Sequence, residues 1–347
     1  MFSKRTIDES ELFTKYKSTY SSAFIDLSIH ICCLSSNLYL LWYFRNSLLS
    51  VFTIPLLGCM YIRTFIILHD CGHNSYTPSK LLNYIIGSIS GIFVSTPICW
   101  SYQHHIHHLT SGNINNEHNF NYNELIFFNL YEYKKWSKNI RKLYKIITYP
   151  FIYFSLYPII YFGILQRANI LYYKITNSYT YKESTLQIFI DILFSNLGII
   201  YLMYWLYQYD ILFHYIAAMY ISSNIGVLIF FNQHTYNPSY VVNNEIWTQK
   251  DSGILGSSFI MFPQWYKYFS SGIEYHHIHH MNSKIPGYNL QAYHEEVVSK
   301  SNMFDNITKL SMSDCYNNLW LALYDEDKKK YITIAEADEE IRKDKSS

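Results

Sequence analysis

Six apolar runs, about 23–44, 48–68, 81–99, 144–165, 187–206 and 211–231, alternate along the chain with shorter polar stretches. Each approaches the roughly 20 residues that a helix needs to cross a bilayer. Six runs so poor in charge do not fit the buried core helices of a soluble protein. The pattern predicts an all-α polytopic membrane protein. Two of the runs are irregular: 81–99 contains Gly87, Gly91 and Pro97, and 144–165 contains Pro150 and Pro158 between basic flanks.

Lys and Arg set the expected sidedness, because cytosolic loops are enriched in them. Lys4, Arg5, Lys15 and Lys17 precede the first run, six basic residues lie in 134–145, and Arg167, Lys174 and Lys182 lie in 166–182. All three stretches are expected in the cytosol. The link "RNS" (45–47) reads as a tight hairpin, and "YQYD" (207–210), with no basic residue, suits the far side. About four helices then span, with 81–99 and 144–165 as re-entrant or interfacial helices. If either crossed alone, the histidine groups described below would be split across the bilayer. The division expected is a cytosolic N-terminal segment 1–22, an integral membrane domain 23–325 and a charged, exposed C-terminal tail 326–347.

Composition narrows the class further. Lys plus Arg number 27 against 26 Asp plus Glu, so no basic surface argues for nucleic acid. Charged residues make up only 15% of the chain, below the roughly 25% of a soluble domain. None of the six cysteines forms a C-x-x-C pair, which argues against a disulfide framework or a thiolate zinc site. The polar, charged first twenty residues do not read as a cleaved signal peptide.

The histidines supply the chemistry. "HHIHH" occurs at 104–108 and again at 276–280, and a smaller pair lies in "LHDCGHNS" (68–75). His69 and His73 are i,i+4, one above the other on a helix. In each pentapeptide the first, fourth and fifth residues share a face, which selects His104, His107, His108, His276, His279 and His280. His105 and His277 point off that face and read as residues that support the ligands or lie at the edge of the site. Asp70 could orient a ligand histidine or be a solvated helix-end acid. His234, in "FFNQHTYN" at the end of the last apolar run, is either a ninth ligand or a helix-end cap. His30, His118, His214 and His294 have no partner at ligand spacing and read as structural or surface residues. Imidazole-rich sites suit iron, copper, zinc or nickel. Eight or nine histidines exceed one zinc and fit two metals at four or five ligands each. Neutral nitrogen ligands suit a metal that changes oxidation state and handles dioxygen, and two irons beside a membrane suggest oxidation of a lipid.

"HDCGH", H-x-x-H-H and "YHHIHHMNSKIPGYNL" together resemble the membrane fatty-acid desaturases, most closely the delta-12-like acyl-lipid branch. The likeness extends through "HHLTSGN", "FFNQH", "DSGILGSS" and "LWLALYDEDKKK", roughly residues 20–335. It implies that His69, His73, His104, His107, His108, His276, His279, His280 and His234 are metal ligands of a di-iron centre in a cytosolic histidine-rich domain. The short H-x-x-x-H first box resembles acyl-lipid enzymes, and a third box opening on His276, not Gln, resembles methyl-end and delta-12 enzymes. One departure is Phe230, where some acyl-CoA relatives place an Asn that holds a metal-bound water; Asn232 could substitute.

The resemblance implies oxygen-dependent introduction of a cis double bond into a fatty acyl lipid or acyl-CoA, at the endoplasmic reticulum or a bacterial inner membrane. The chain has no G-x-G-x-x-G and no C-x-x-C-H, so electrons would come from an external donor: a b-type cytochrome with its reductase, or a ferredoxin. Trp100, Tyr102 and Trp265 are candidates to line the acyl tunnel or to anchor at the membrane interface. A fatty acyl hydroxylase is the nearest rival. A membrane zinc hydrolase lacks the Glu of H-E-x-x-H and leaves six histidines unexplained. A haem- or metal-carrying membrane protein would need its histidines at bilayer depth.

Overall fold

The computed structural model describes residues 8–113, 128–175 and 183–346. Within these, four helices are long and apolar enough to cross a membrane: Tyr20–Phe44, Ser50–Gly72, Thr185–Gln208 and Leu212–His234. Thr19 and Ser184 cap the first and third by accepting from the backbone N–H groups of Ser22 and Gln187. The second and fourth end in histidine-bearing turns. The link between the last two turns at Asp210, which takes a left-handed φ of 59°.

The Ser50–Gly72 helix is the centre of the bundle. Its apolar window is 61% buried, against 22–28% for the other three, so it faces protein where they face outward. Gly58 explains how closely it meets Leu212–His234: a Cβ there would lie 3.1 Å from the Ala218 carbonyl oxygen. Buried Arg63 pairs with Asp26 of the first helix and donates to the Tyr268 carbonyl, which fixes three segments just below the histidines.

The two irregular runs do not form straight spans. Lys80–Phe93 is 14 residues, too short to cross. The chain then folds back tightly, Thr96 donating to the Gly91 carbonyl at 2.9 Å, and enters the helix Trp100–Thr110. Lys138–Ile147 and Pro150–Tyr172 are bent by 77° to each other at the break before Pro150. Counted as one broken span, that pair would raise the number of crossings to five.

The rest packs on the histidine-bearing end. Phe259–Ile260 pairs in parallel with Lys309–Leu310, and Leu321–Asp325 lies between Phe128–Asn129 and Lys330–Thr333. The charge of 326–347 suggests an exposed tail, but Lys330–Thr333 completes the sheet and Ile334–Ser346 is helical. Ile332, Ile334 and Ala337 are buried with Leu130, Tyr133, Tyr144 and Leu323. The apolar positions in this stretch are few but fall on one face, so they form a small core while the charges stay outside.

Candidate metal centre

Helix ends and short helices present the histidines from one end of the bundle. His69 lies in the last turn of Ser50–Gly72, with His73 at its C-cap. The second box rides on Trp100–Thr110, the third on His276–Met281, and His234 ends Leu212–His234. All nine come together in two groups. One contains His69, His73, His104, His108 and His279, and the other His107, His234, His276 and His280. In each, one donor nitrogen per residue lies within 4.8 Å of the others.

Helical periodicity explains the division. His104 and His108, one turn apart, serve the first group, while His107 turns to the second. The third box does the reverse, with His276 and His280 in the second group and His279 in the first. The groups adjoin where the His108 and His280 rings stack with centroids 4.1 Å apart.

Metal ions fit this donor set. The Nε2 atoms of His69 and His104 are 3.0 Å apart, those of His104 and His108 3.1 Å, and those of His108 and His279 2.9 Å. In the second group, His107 and His234 are 3.1 Å apart and His234 and His276 2.9 Å. An ion bound at about 2.0–2.1 Å by imidazole nitrogens sets neighbouring ligands about 3 Å apart. The Nε2 atoms of His73 and His280 are buried without a hydrogen-bond partner, a costly state that an ion would relieve.

Charge state agrees. Burial first, and then neighbouring imidazoles, hold His73, His104, His108, His276, His279 and His280 well below the ordinary histidine pKa of 6.5. They are therefore neutral, the form that ligates. Orienting contacts hold His69 and His234. His69 Nδ1 donates to Asp70 Oδ1 at 3.0 Å, and His234 Nδ1 lies 3.3 Å from the Gly256 carbonyl.

Beneath the groups lies a cavity of about 900 Å³, counting its open side. His69, His104 and His276 form its roof, and its walls are almost wholly apolar. Trp100 lines it, stacks on His104 with centroids 4.7 Å apart, and donates to the Tyr161 hydroxyl at 3.0 Å. Along the Leu212–His234 helix, Phe230, Gly226, Ser222 and Met219 continue the wall away from His234.

The sequence profile described as "Fatty acid desaturase" matches residues 46–305. A "Fatty acid desaturase" of Bacillus subtilis (strain 168) is 30% identical over 278 residues, 78% of this chain and 74% of that protein. The chain belongs to the fatty acid desaturase family. Shorter matches join it to an "sn-1 acyl-lipid omega-3 desaturase (ferredoxin)" of Nostoc sp. (strain 36), 39% identical over 17% of each chain. An "Acyl-lipid omega-3 desaturase (cytochrome b5), endoplasmic reticulum" of Arabidopsis thaliana is 29% identical over 29% of this chain and 25% of that protein.

Not every residue singled out from the desaturase's sequence joins the centre. His105 is exposed on the outer side of its helix. His277 is buried, but its Nε2 lies 3.2 Å from His294 Nδ1 and its ring packs edge-on to Phe304, so it braces the third box from behind. Asn232 bonds the Leu228 carbonyl and Asn318, on the face of its helix away from the cavity, so it does not substitute for an Asn at Phe230. The Phe230 ring packs 5.2 Å from both His107 and His234. Of the three aromatic tunnel candidates only Trp100 lines the cavity. Tyr102 packs on the core of the membrane helices, and Trp265 is 68% exposed at a separate groove. His30 and His214 are structural, bonding Thr64 and the Arg45 carbonyl. His118, Lys4, Arg5 and Lys182 lie outside the described residues.

Sequence reasoning missed Tyr161, Gly226 and Ser222. The last two carried a readable signal, since they recur at helical spacing back from His234. Tyr161 carried none, because only folding brings it to Trp100.

Proposed function

We propose that this desaturase introduces a cis double bond into a lipid-linked fatty acyl chain, at a delta-12 or omega-6-like position, using two irons held by the nine histidines and dioxygen as co-substrate. The carrying observation is the pair of histidine groups, buried but for the half-buried His234, that roof an apolar cavity open on one side. In this reading His69, His73, His104, His108 and His279 hold one iron and His107, His234, His276 and His280 the other. Bound there, the irons supply the oxygen chemistry needed to oxidise an unactivated methylene.

The protein's own task is to place the chain and keep water out. Trp100, Phe65, Ile66 and Phe230 wall the cavity directly beside the roof histidines, so a –CH2–CH2– unit enters without a polar competitor. Two hydrogens leave adjacent carbons to give –CH=CH–, and dioxygen, two electrons and two protons complete two waters. The electrons are supplied by an external ferredoxin or by a b-type cytochrome with its reductase, the kinds of donor printed in the names of the Nostoc and Arabidopsis relatives. The chain crosses the membrane several times with the histidine end in the cytosol, where such donors reside. Its basic stretches at 134–145 and 166–182 support that orientation. The membrane is the endoplasmic reticulum in a eukaryote and the inner membrane in a bacterium.

The test is expression in yeast beside a His107→Ala control, followed by gas chromatography–mass spectrometry of fatty-acid methyl esters. A new diene in the active chain alone is the expected result, and its fragmentation locates the bond, an omega-3 position included. A hydroxy acid would replace this reading with the hydroxylase. An unchanged profile, with iron-loaded protein in the membrane and both donor types supplied, would refute it.

A further inference from the structure

A second apolar groove of about 830 Å³, counting its open side, lies on a face of the Leu212–His234 helix neighbouring that of the catalytic cavity. Ile225, Leu228 and Ile229 form one wall, and Phe262, Cys315 and Leu319 the other. Ile229 lines both spaces and belongs, with Ile260, Tyr266 and Ile273, to the buried cluster that separates them. The groove's rim is apolar and open. Trp265 is 68% exposed, Tyr316 60% and Met312 49%. Exposed Trp and Tyr beside the end of a helix long and apolar enough to cross a membrane match the arrangement of an interfacial belt, in which such a groove would face lipid. A water-facing groove with such walls would be costly, whereas a hydrocarbon chain fills it at no polar penalty.

We propose that this groove takes the second acyl chain of a diacyl glycerolipid while the first lies in the catalytic cavity, with Ile229 between the two. The proposal rests on the function given above and deepens it, because it assigns the acyl carrier. A single-chain carrier would use only the cavity under the histidines. A diacyl lipid has two chains leaving one glycerol, and the two apolar spaces flank one helix and share one side chain.

The test uses full-length protein in nanodiscs with the same oleoyl group delivered as dioleoyl phosphatidylcholine, oleoyl lysophosphatidylcholine or oleoyl-CoA. Ile225→Trp and Cys315→Trp fill the groove without touching a histidine. Bound metal is measured in each variant to confirm that the centre has assembled. Turnover of the diacyl lipid should fall about tenfold in both variants while that of the lysolipid is kept, since one apolar contact region is lost and the other is not. Equal loss on every carrier, or no loss on any, overturns the proposal. A second readout needs no turnover. Phosphatidylcholine bearing a diazirine in one chain should label residues 225–232 and 312–319 in the wild type and lose that label in both variants. Labelling that the substitutions leave unchanged means contact with bulk lipid only, and also overturns it. If the wild type desaturates no carrier yet the label behaves as expected, the function assigned above fails and the lipid groove stands.

Discussion

Asp70 joins two parts of the chain that are 217 residues apart: Oδ1 accepts from His69 Nδ1 at 3.0 Å, and Oδ2 accepts from the Gly287 backbone N–H at 2.6 Å. The first histidine box and the segment just beyond the third are therefore held by one buried carboxylate. Gly287 is suited to this contact, because a Cβ there would lie 2.2 Å from the Ser271 carbonyl oxygen. Asp70→Asn keeps the shape but offers an N–H to one of two donors, leaving it unsatisfied. Metal affinity should fall about 10–100-fold, as for other buried partners of ligand histidines. Competition with a chelator, read by metal analysis, measures it.

Neighbouring histidines should differ sharply in effect. His108→Ala removes a donor from the first group, whereas His105→Ala alters an exposed residue of the same helix. The first variant is expected to lose metal and all detectable turnover, and the second to keep both. Elemental analysis beside product analysis decides, and equal loss in the two variants would contradict the assignment of the groups.

Cavity length should respond to Gly226. It lines the cavity, and nothing lies within 4 Å of where its Cβ would be, so a larger side chain projects into open space. Gly226→Leu is expected to leave metal content and stability near wild type, within about 1 kcal/mol, while turnover of long acyl chains falls. Comparing acyl groups of different length shows whether shorter ones are spared.

Acid should destabilise the metal-free protein more than its net charge suggests. His104, His108, His276 and His279 titrate well below 6.5 when folded because burial disfavours the imidazolium, and His294 is pushed down to about 4 by burial and then by Lys309. Unfolded, the same rings take protons near 6.5. The unfolded state thus binds more protons below that value, and stability, full above it, declines as pH falls toward the folded values. Thermal unfolding between pH 7.5 and 5 should show a falling midpoint, and bound metal should deepen the decline because protons compete for its ligands.

The charged C-terminal stretch should matter for stability. Ile332 is 1% exposed within the small sheet core, so Ile332→Ala is expected to cost about 2–4 kcal/mol. Denaturation of the purified protein would show it, and an unchanged midpoint would mean that this layer unfolds separately.

Much of this desaturase was legible in one dimension because its strongest constraints are local. Helices must satisfy their own backbone in lipid, so membrane-crossing length appears as uninterrupted apolar runs, and ligands on one helical face must recur at i, i+3 and i+4. Those two rules pointed to the four long helices and to the histidine boxes. What folding alone decided depends on contacts between segments far apart in sequence. Periodicity could place His104, His107 and His108 on one face, but only the approach of the third box sends His107 to one group and its neighbours to the other. It could not tell that His277 turns to His294, that Asn232 faces away from the cavity, or that Tyr161 meets Trp100. Nor could composition show that a charged end buries Ile332 and Ala337, since a few apolar side chains become a core only when a distant strand and helix close over them.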